Sequence, residues 1–236
     1  DLHSFPTRRS SDLHIGGGLN RYDPAQKRVT VFRHEAANPR SLPADGVMSL
    51  LEDSRGRIWA GTYGGGLARL DGDANAFVGL ALGGDRVTVL AEDSKGRLWV
   101  GTDGSGLNVL EPDVGVIWRF RHDPRDAHSV GADVIYALHV AHDGSVWVGT
   151  RGAGLDRIRI PEGGFARATI ENYAEGHGLP DLTVYGIRPD RAGGLWLSTN
   201  HGLARFDPAA GRARAYHRAH GDRKSTRLNS SHPYRS

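Results

Sequence analysis

Twelve histidines, a recurring aspartate, runs of glycine and a periodic arginine are the residues of this 236-residue chain whose types suit chemistry, and cysteine is absent. Without thiols there is no disulfide framework, no thiolate metal site and no cysteine nucleophile. Histidine serves in acid–base catalysis or metal binding, yet no H-E-x-x-H, no H-x-H and no carboxylate cluster at ligand spacing occurs. His139 and His142 stand three apart with no third ligand beside them in sequence, and His3 and His232 fall in atypical ends, so neither metal nor cofactor is expected. G-x-S-x-G, the signature of a nucleophile elbow, is missing. Asp53, Asp93, Asp143 and Asp190 recur, but none stands among acids at calcium-loop spacing and each fits an Asx turn better than a calcium site. Gly64-Gly65-Gly66, Gly104-Ser105-Gly106 and Gly152-Ala153-Gly154 look like phosphate cradles until their context is read. They lie between two strand-like runs, with no Walker Lys-Ser or Rossmann acid following, and so are tight turns. Arg69, Arg157 and Arg205 follow a Gly-Leu in register, as Arg21 does, and their stems are expected to cover a strand while the guanidinium stays wet.

The elements that must hold these residues come from a repeat. Four units share one core: EDSRGRIWAGTYGGGLARLD from Glu52, EDSKGRLWVGTDGSGLNVLE from Glu92, AHDGSVWVGTRGAGLDRIRI from Ala141 and PDRAGGLWLSTNHGLARFDP from Pro189. Trp59, Trp99, Trp147 and Trp196 are separated by 40, 48 and 49 residues, a period that implies stacked supersecondary units. Within a unit, apolar residues alternate or run for a few positions between Gly or Asp turns, which is the pattern of short strands. In the clearest unit, strands A to D are expected at Val87–Glu92, Arg97–Thr102, Leu107–Glu111 and Val116–Arg121, four antiparallel strands forming one blade. The Trp of strand B, at one depth in every blade, is expected to fill the taper between neighbouring sheets rather than to form a ligand cage. Gly66, Gly106, Gly154 and Gly202 close the corresponding B–C turns. Segments between units are short and broken by Pro or Gly, leaving no room for crossover helices. The fold class is therefore all-β, a partial β-propeller of four complete four-stranded blades plus half of a preceding one, whose strands C and D begin at GGGLNRYDP from Gly16.

Glycine makes up 33 of the 236 residues, about twice the usual share of roughly 7%. The formal net charge is +3, but residues 223–236 carry four positive groups and no negative one, whereas residues 14–222 hold 24 positive and 25 negative. An interior near neutrality, without interleaved aromatic and basic residues, argues against nucleic-acid binding. No apolar run long enough to span a bilayer occurs, and no direct membrane contact is expected. Both ends, 1–13 and 223–236, are rich in Ser and Arg with little that can cover a core, and read as disordered or non-native. Both resemble translated sequencing-adapter reads, DLHSFPTRRSSDL and RKSTRLNSSHPYRS, which implies that the natural chain continued past each. The interior would then be 14–222, an excerpt of a larger ring.

The recurrent core, standing as WAGTYGGGL, WVGTDGSGL, WVGTRGAGL and WLSTNHGL, resembles the two-component regulator propeller repeat. The fourth copy departs from it, with Ser198 for Gly and Asn200-His201 shortening the glycine run. The resemblance implies a propeller segment of a bacterial extracytoplasmic or periplasmic receptor, whose parent carries a histidine kinase or diguanylate cyclase that is not in this segment. It also implies a noncatalytic role in signal input, with a polysaccharide-derived small ligand, the remaining blades and downstream domains, and a receptor dimer as partners. Chain geometry places the B–C loops and the D–A connections on one face. Tyr63, Asp103, Arg151 and Asn200, which follow the conserved-looking Gly-Thr or Ser-Thr of each unit, are thus candidates for a ligand rim, with His177, His122 and His128 from the connections. Two alternatives remain at this point: a protein–protein interaction scaffold, and an enzyme resembling propeller lyases that would use His139 or His177 with a metal.

Overall fold

A computed structural model describes residues 16–72 and 75–216. Both atypical ends, with Arg8, Arg9, Lys224 and Arg227, lie outside the described residues, as does His217.

Eighteen strands form one two-stranded and four four-stranded antiparallel sheets among the described residues. The half blade is β1 (Leu19–Asp23) with β2 (Arg28–Phe32). Blade one runs β3 (Val47–Glu52), β4 (Ile58–Thr62), β5 (Gly66–Asp71), β6 (Ala76–Leu80), each strand pairing with the next. Blade two is β7 (Val87–Glu92), β8 (Leu98–Thr102), β9 (Leu107–Glu111), β10 (Gly115–Phe120). Blade three is β11 (Ile135–Val140), β12 (Val146–Thr150), β13 (Leu155–Arg159), β14 (Thr169–Tyr173). Blade four is β15 (Val184–Pro189), β16 (Leu195–Thr199), β17 (Gly202–Asp207), β18 (Arg212–Tyr216). The strands expected in blade two stand within one residue of those observed. The two helical turns, at Phe165–Arg167 and Glu175–His177, are single 3₁₀ turns in connections.

The first strands of successive blades, β3, β7, β11 and β15, neighbour one another and form the inner edge. The blades are then held face to face by the periodic tryptophan, which in blades one to three leans on the following one. Trp59 packs among Val87, Leu98, Val100 and Leu110 of blade two, and Trp147 among Val184, Ile187, Leu195, Leu197 and Phe206 of blade four. Trp99 does the same against Val130, Ile135, Val146 and Val148. These three rings are almost wholly buried, whereas Trp196 in the last described blade is half-buried and packs on Tyr216 at 5.2 Å. The same asymmetry appears one strand over: Leu67, Leu107 and Leu155 are 0% exposed and Leu203 is 50% exposed. The glycine two positions after the tryptophan is required by this packing. A Cβ on Gly61 would stand 2.5 Å from Val87 Cγ1, and one on Gly101 2.8 Å from Ile135 Cγ2, so the next blade would have to retreat. Ser198 takes that place in blade four, where no described strand presses.

Turn chemistry fixes the blades' ends. Gly66, Gly106, Gly154 and Gly202 adopt φ of 74°, 69°, 90° and 106°, the left-handed region that favours glycine. At Gly106 and Gly154 a side chain would also run into the carbonyl oxygens of Phe120 and Tyr173. The threonine of each Gly-Thr or Ser-Thr donates its hydroxyl back across the loop: Thr62 to the Gly66 carbonyl at 2.8 Å, Thr102 to Gly106 at 2.7 Å, Thr150 to Gly154 at 2.9 Å and Thr199 to Gly202 at 2.9 Å.

The repeated aspartates form the expected Asx turns and do a second job. Asp93 Oδ1 accepts the backbone N–H of Lys95 (3.0 Å) and Arg97 (3.1 Å), while Oδ2 accepts Arg97 Nε (2.7 Å) and the buried indole Nε1 of Trp99 (2.9 Å). Asp53 treats Arg55, Arg57 and Trp59 in the same way. In blades three and four the arginine comes from strand C: Arg157 Nη2 donates to Asp143 Oδ2 at 2.7 Å, and Arg205 Nε to Asp190 Oδ2 at 2.6 Å. At Arg157 this corrects the expectation of a wet guanidinium. Arg157 is only 13% exposed in its side chain and lies 4.9 Å from the Trp147 ring centroid, an ion pair and a cation–π contact in one.

Candidate functional site

The B–C loop of each of the first three blades is pinned between two connections entering inner strands. Tyr63 N donates to the Gly46 carbonyl (2.7 Å), Asp103 N to Arg86 (2.9 Å) and Arg151 N to Val134 (3.0 Å), each just before the blade's own inner strand. The following glycines reach the next connection: Gly64 N to Asp85 (2.9 Å), Gly104 N to Asp133 (3.1 Å) and Gly152 N to Leu182 (3.0 Å). Tyr63, Asp103 and Arg151 are therefore held on a rigid rim around the inner edge.

Each inner strand opens with a β-bulge, between Val47 and Ser49, Val87 and Val89, Ile135 and Ala137, and Val184 and Gly186. The extra residue at each bulge escapes the regular pairing. These residues are Met48, Thr88, Tyr136 and Tyr185, and the last two stack across blades three and four with centroids 5.3 Å apart and planes 13° from parallel. Tyr185 is 51% exposed.

The rim side chains make two networks. Tyr63 donates its hydroxyl to Asp103 Oδ2 at 2.8 Å, and Arg86 pairs with the same oxygen at 3.5 Å while its guanidinium lies 5.7 Å from the Tyr63 ring centroid. The Tyr63 hydroxyl, then the Asp103 charge, holds Arg86 above the ordinary arginine value. In blade four, Tyr185 donates to Asn200 Oδ1 at 2.9 Å, Asn200 Nδ2 donates to Asp181 Oδ1 at 3.0 Å, and His201 stands 3.4 Å from Asp181. Arg151 lies between the two networks, exposed and with no side-chain partner among the described residues.

The structure thus links Tyr63 to Asp103 and ties Asn200 to the aromatic stack, but it places the histidines elsewhere. His177 stands against Tyr173, at the end of the outermost strand of blade three, with centroids 5.2 Å apart, and its Nδ1 accepts the Ala174 N–H at 3.1 Å. With His128 it lines an open hollow of about 580 Å³ beside β14, away from the inner strands. His122 braces its own connection through the Val130 carbonyl, 2.9 Å from Nδ1. His139 sits on inner strand β11, where burial first and the charges of Arg188 and His142 next push it below the usual histidine value. Among the described residues no three His, Asp or Glu side chains come together as a metal set. Sequence reasoning missed Arg86, Tyr136, Tyr185 and Asp181. Tyr136 and Tyr185 share one place, the second residue of an inner strand, and that shared offset was the available signal.

The repeat model described as the two component regulator propeller matches residues 41–64, 81–104 and 178–201, one segment each in blades one, two and four. Each matched segment runs from the end of a D–A connection through strands A and B to the rim, and takes in Tyr63, Asp103 or Asn200. No curated protein sequence matches the chain. Among solved structures it is similar to the extracellular domain of a hybrid two component system from B. thetaiotaomicron, at 22% identity and a TM-score of 0.51, covering 86% of this chain and 32% of that one. It is also similar to virginiamycin B lyase from Staphylococcus aureus (16% identity, TM-score 0.62, 86% of this chain, 63% of that one). A third, PorZ, a surface component of the type-IX secretion system of Porphyromonas gingivalis, gives 16% identity, a TM-score of 0.61 and coverage of 88% and 32%. The chain thus spans about a third of the two component domain and under two thirds of the lyase. At these identities the likeness establishes a shared propeller fold.

Proposed function

We propose that this segment, built of two component regulator propeller repeats, is a noncatalytic signal-input part of an extracytoplasmic two-component receptor, and that it binds a small polysaccharide-derived ligand at the rim of blades two to four. The repeat matches and the likeness to an extracellular domain of a hybrid two component system support the receptor role and the location. The observation that carries ligand binding is the half-exposed Tyr136–Tyr185 stack, fixed at the inner edge beside an exposed arginine and the amide of Asn200. A flat aromatic face packs against the C–H face of a sugar ring, while rim donors and acceptors hold its hydroxyls. Such binding transmits a signal only if the ligand prefers one of two states of the receptor.

The test is calorimetric titration of the 236-residue chain with a panel of neutral and acidic oligosaccharides, repeated on Tyr136→Ala and Tyr185→Ala. Binding that weakens at least tenfold in either variant is expected. A chain that binds none of them, or binds equally well without the tyrosines, overturns the proposal. The lyase reading has no comparable support, because fold likeness does not carry catalytic residues with it.

A further inference from the structure

We infer that the rim selects saccharides bearing a carboxylate, with Arg151 as the residue that reads the charge. This rests on the ligand-binding reading above and narrows it. Three facts converge on Arg151. First, its position is set by backbone bonds on both sides: its own N–H goes to Val134 and that of Gly152 goes to Leu182. Val134 lies two residues before Tyr136 and Leu182 three residues before Tyr185, so the loop is tied to both segments that deliver the stacked rings.

Second, Asp103 and the acids of the two connections that flank the Arg151 loop, Asp133 and Asp181, are already engaged. Asp103 is taken by Tyr63 and Arg86; Asp181 accepts the Thr183 N–H at 2.7 Å as well as Asn200, and stands beside His201. Asp133 is held by Arg121 at 3.3 Å and by the His122 N–H at 2.9 Å. Arg86 pairs with Asp103, whereas Arg151 has no side-chain partner among the described residues. Third, the equivalent positions in the other blades, Tyr63, Asp103 and Asn200, all have side-chain partners. A guanidinium carries five donors in a planar fork that matches a carboxylate bidentately. A saccharide bound at the half-exposed Tyr136–Tyr185 stack lies beside the loop that carries Arg151, and a carboxylate on it gives that guanidinium a partner. A neutral hexose offers no such partner and leaves those donors to water.

The experiment compares two probes that differ only in charge: trigalacturonate, and the same trisaccharide with its carboxyl groups reduced to alcohols. Each is titrated by calorimetry into the 236-residue chain and into Arg151→Gln, Arg151→Lys and Tyr185→Ala, at 20 and 300 mM NaCl. Because the Arg151 side chain is exposed and unpaired, its replacement is expected to leave the circular dichroism spectrum and the melting temperature unchanged. We expect trigalacturonate to bind at least tenfold tighter than the reduced probe. Arg151→Gln should abolish that preference, Arg151→Lys should retain part of it, and salt should narrow it. Equal affinity for the two probes, or a preference that survives in Arg151→Gln, overturns the inference. If the reduced probe then still binds and loses affinity in Tyr185→Ala, ligand sensing at the rim stands without charge selection. If neither probe binds, the inference falls together with the reading beneath it.

Discussion

Asp93 combines three duties that sequence assigns to one: it closes the A–B turn, anchors Arg97 and satisfies the indole of Trp99. Its removal strands a buried N–H, a loss of about 1–3 kcal/mol. Asp93→Ala should therefore lower the unfolding free energy measured by urea denaturation by that amount, and an unchanged value would contradict the buried hydrogen bond. Asp53 makes the equivalent contacts. Burial alone would raise its pKa, but the hydrogen bonds from Trp59 and Arg57 outweigh that and hold it below the usual carboxylate value. A lowered folded-state pKa gives stability that is present above the unfolded value and is lost as pH falls through the acid range.

Asp156 behaves in the opposite way. It is fully buried on β13 and accepts the Gly131 N–H and Asn172 Nδ2, each at 2.8 Å, but burial outweighs these bonds and the nearby His122 and pushes it up to about 6. Between the unperturbed value of 3.8 and about 6 the folded chain binds the proton more strongly, so this group disfavours folding as pH rises through 6. Asp156→Asn should flatten the stability–pH profile between pH 4 and 7 and leave the variant at least as stable as the parent at pH 8. Denaturation at several pH values measures this, and an undiminished slope in the variant would be the contrary result.

At the scale of the element, strands and turns were legible because their causes are local. Period-two apolar runs, Asp-x-x-Gly turns and Gly-x-Gly loops each state a backbone requirement in residues a few positions apart. The rim was legible only in part. Tyr63, Asp103, Arg151 and Asn200 were found by their common offset from a motif, but Arg86 and Tyr185 acquire meaning only when two blades are side by side. Arg157 was misread for the same reason: on one strand it looks like a stem with a wet head, and only the fold brings Asp143 beneath it. The glycine of the W-x-G-T core carries a test at this scale. Gly101→Ala would force a methyl against Ile135 and Val89 and should cost about 1–3 kcal/mol. Ser198→Ala, at the equivalent place in blade four, should change stability by less than about 0.5 kcal/mol. Similar losses at both positions would refute the packing argument.

For the molecule as a whole, stability accumulates at junctions between blades, as in other stacked repeats. Trp99→Ala empties a junction and should cost about 3–5 kcal/mol, whereas Trp196→Ala, on a half-buried ring, should cost clearly less. Equal melting temperatures for the two variants would argue against that account. The described array also has two unlike flanks. One shows Tyr22, Val29 and Val31, all at least 50% exposed, and the other shows Leu203 beside Trp196. Apolar faces of this kind favour association, so sedimentation of the 236-residue chain should show concentration-dependent species that Leu203→Arg reduces.

The buried indoles of Trp59, Trp99 and Trp147 all lean the same way around the array, and this gives the assembly a direction, like a row of tiles each overlapping its neighbour on one side only. One flank of any blade offers a knob and the other a socket. Whole units can then be duplicated or lost in a gene without spoiling a seam, because each new boundary is again knob to socket. A unit turned end for end would meet its neighbours knob to knob. The protein's length is in this sense an evolvable quantity, while its handedness is not.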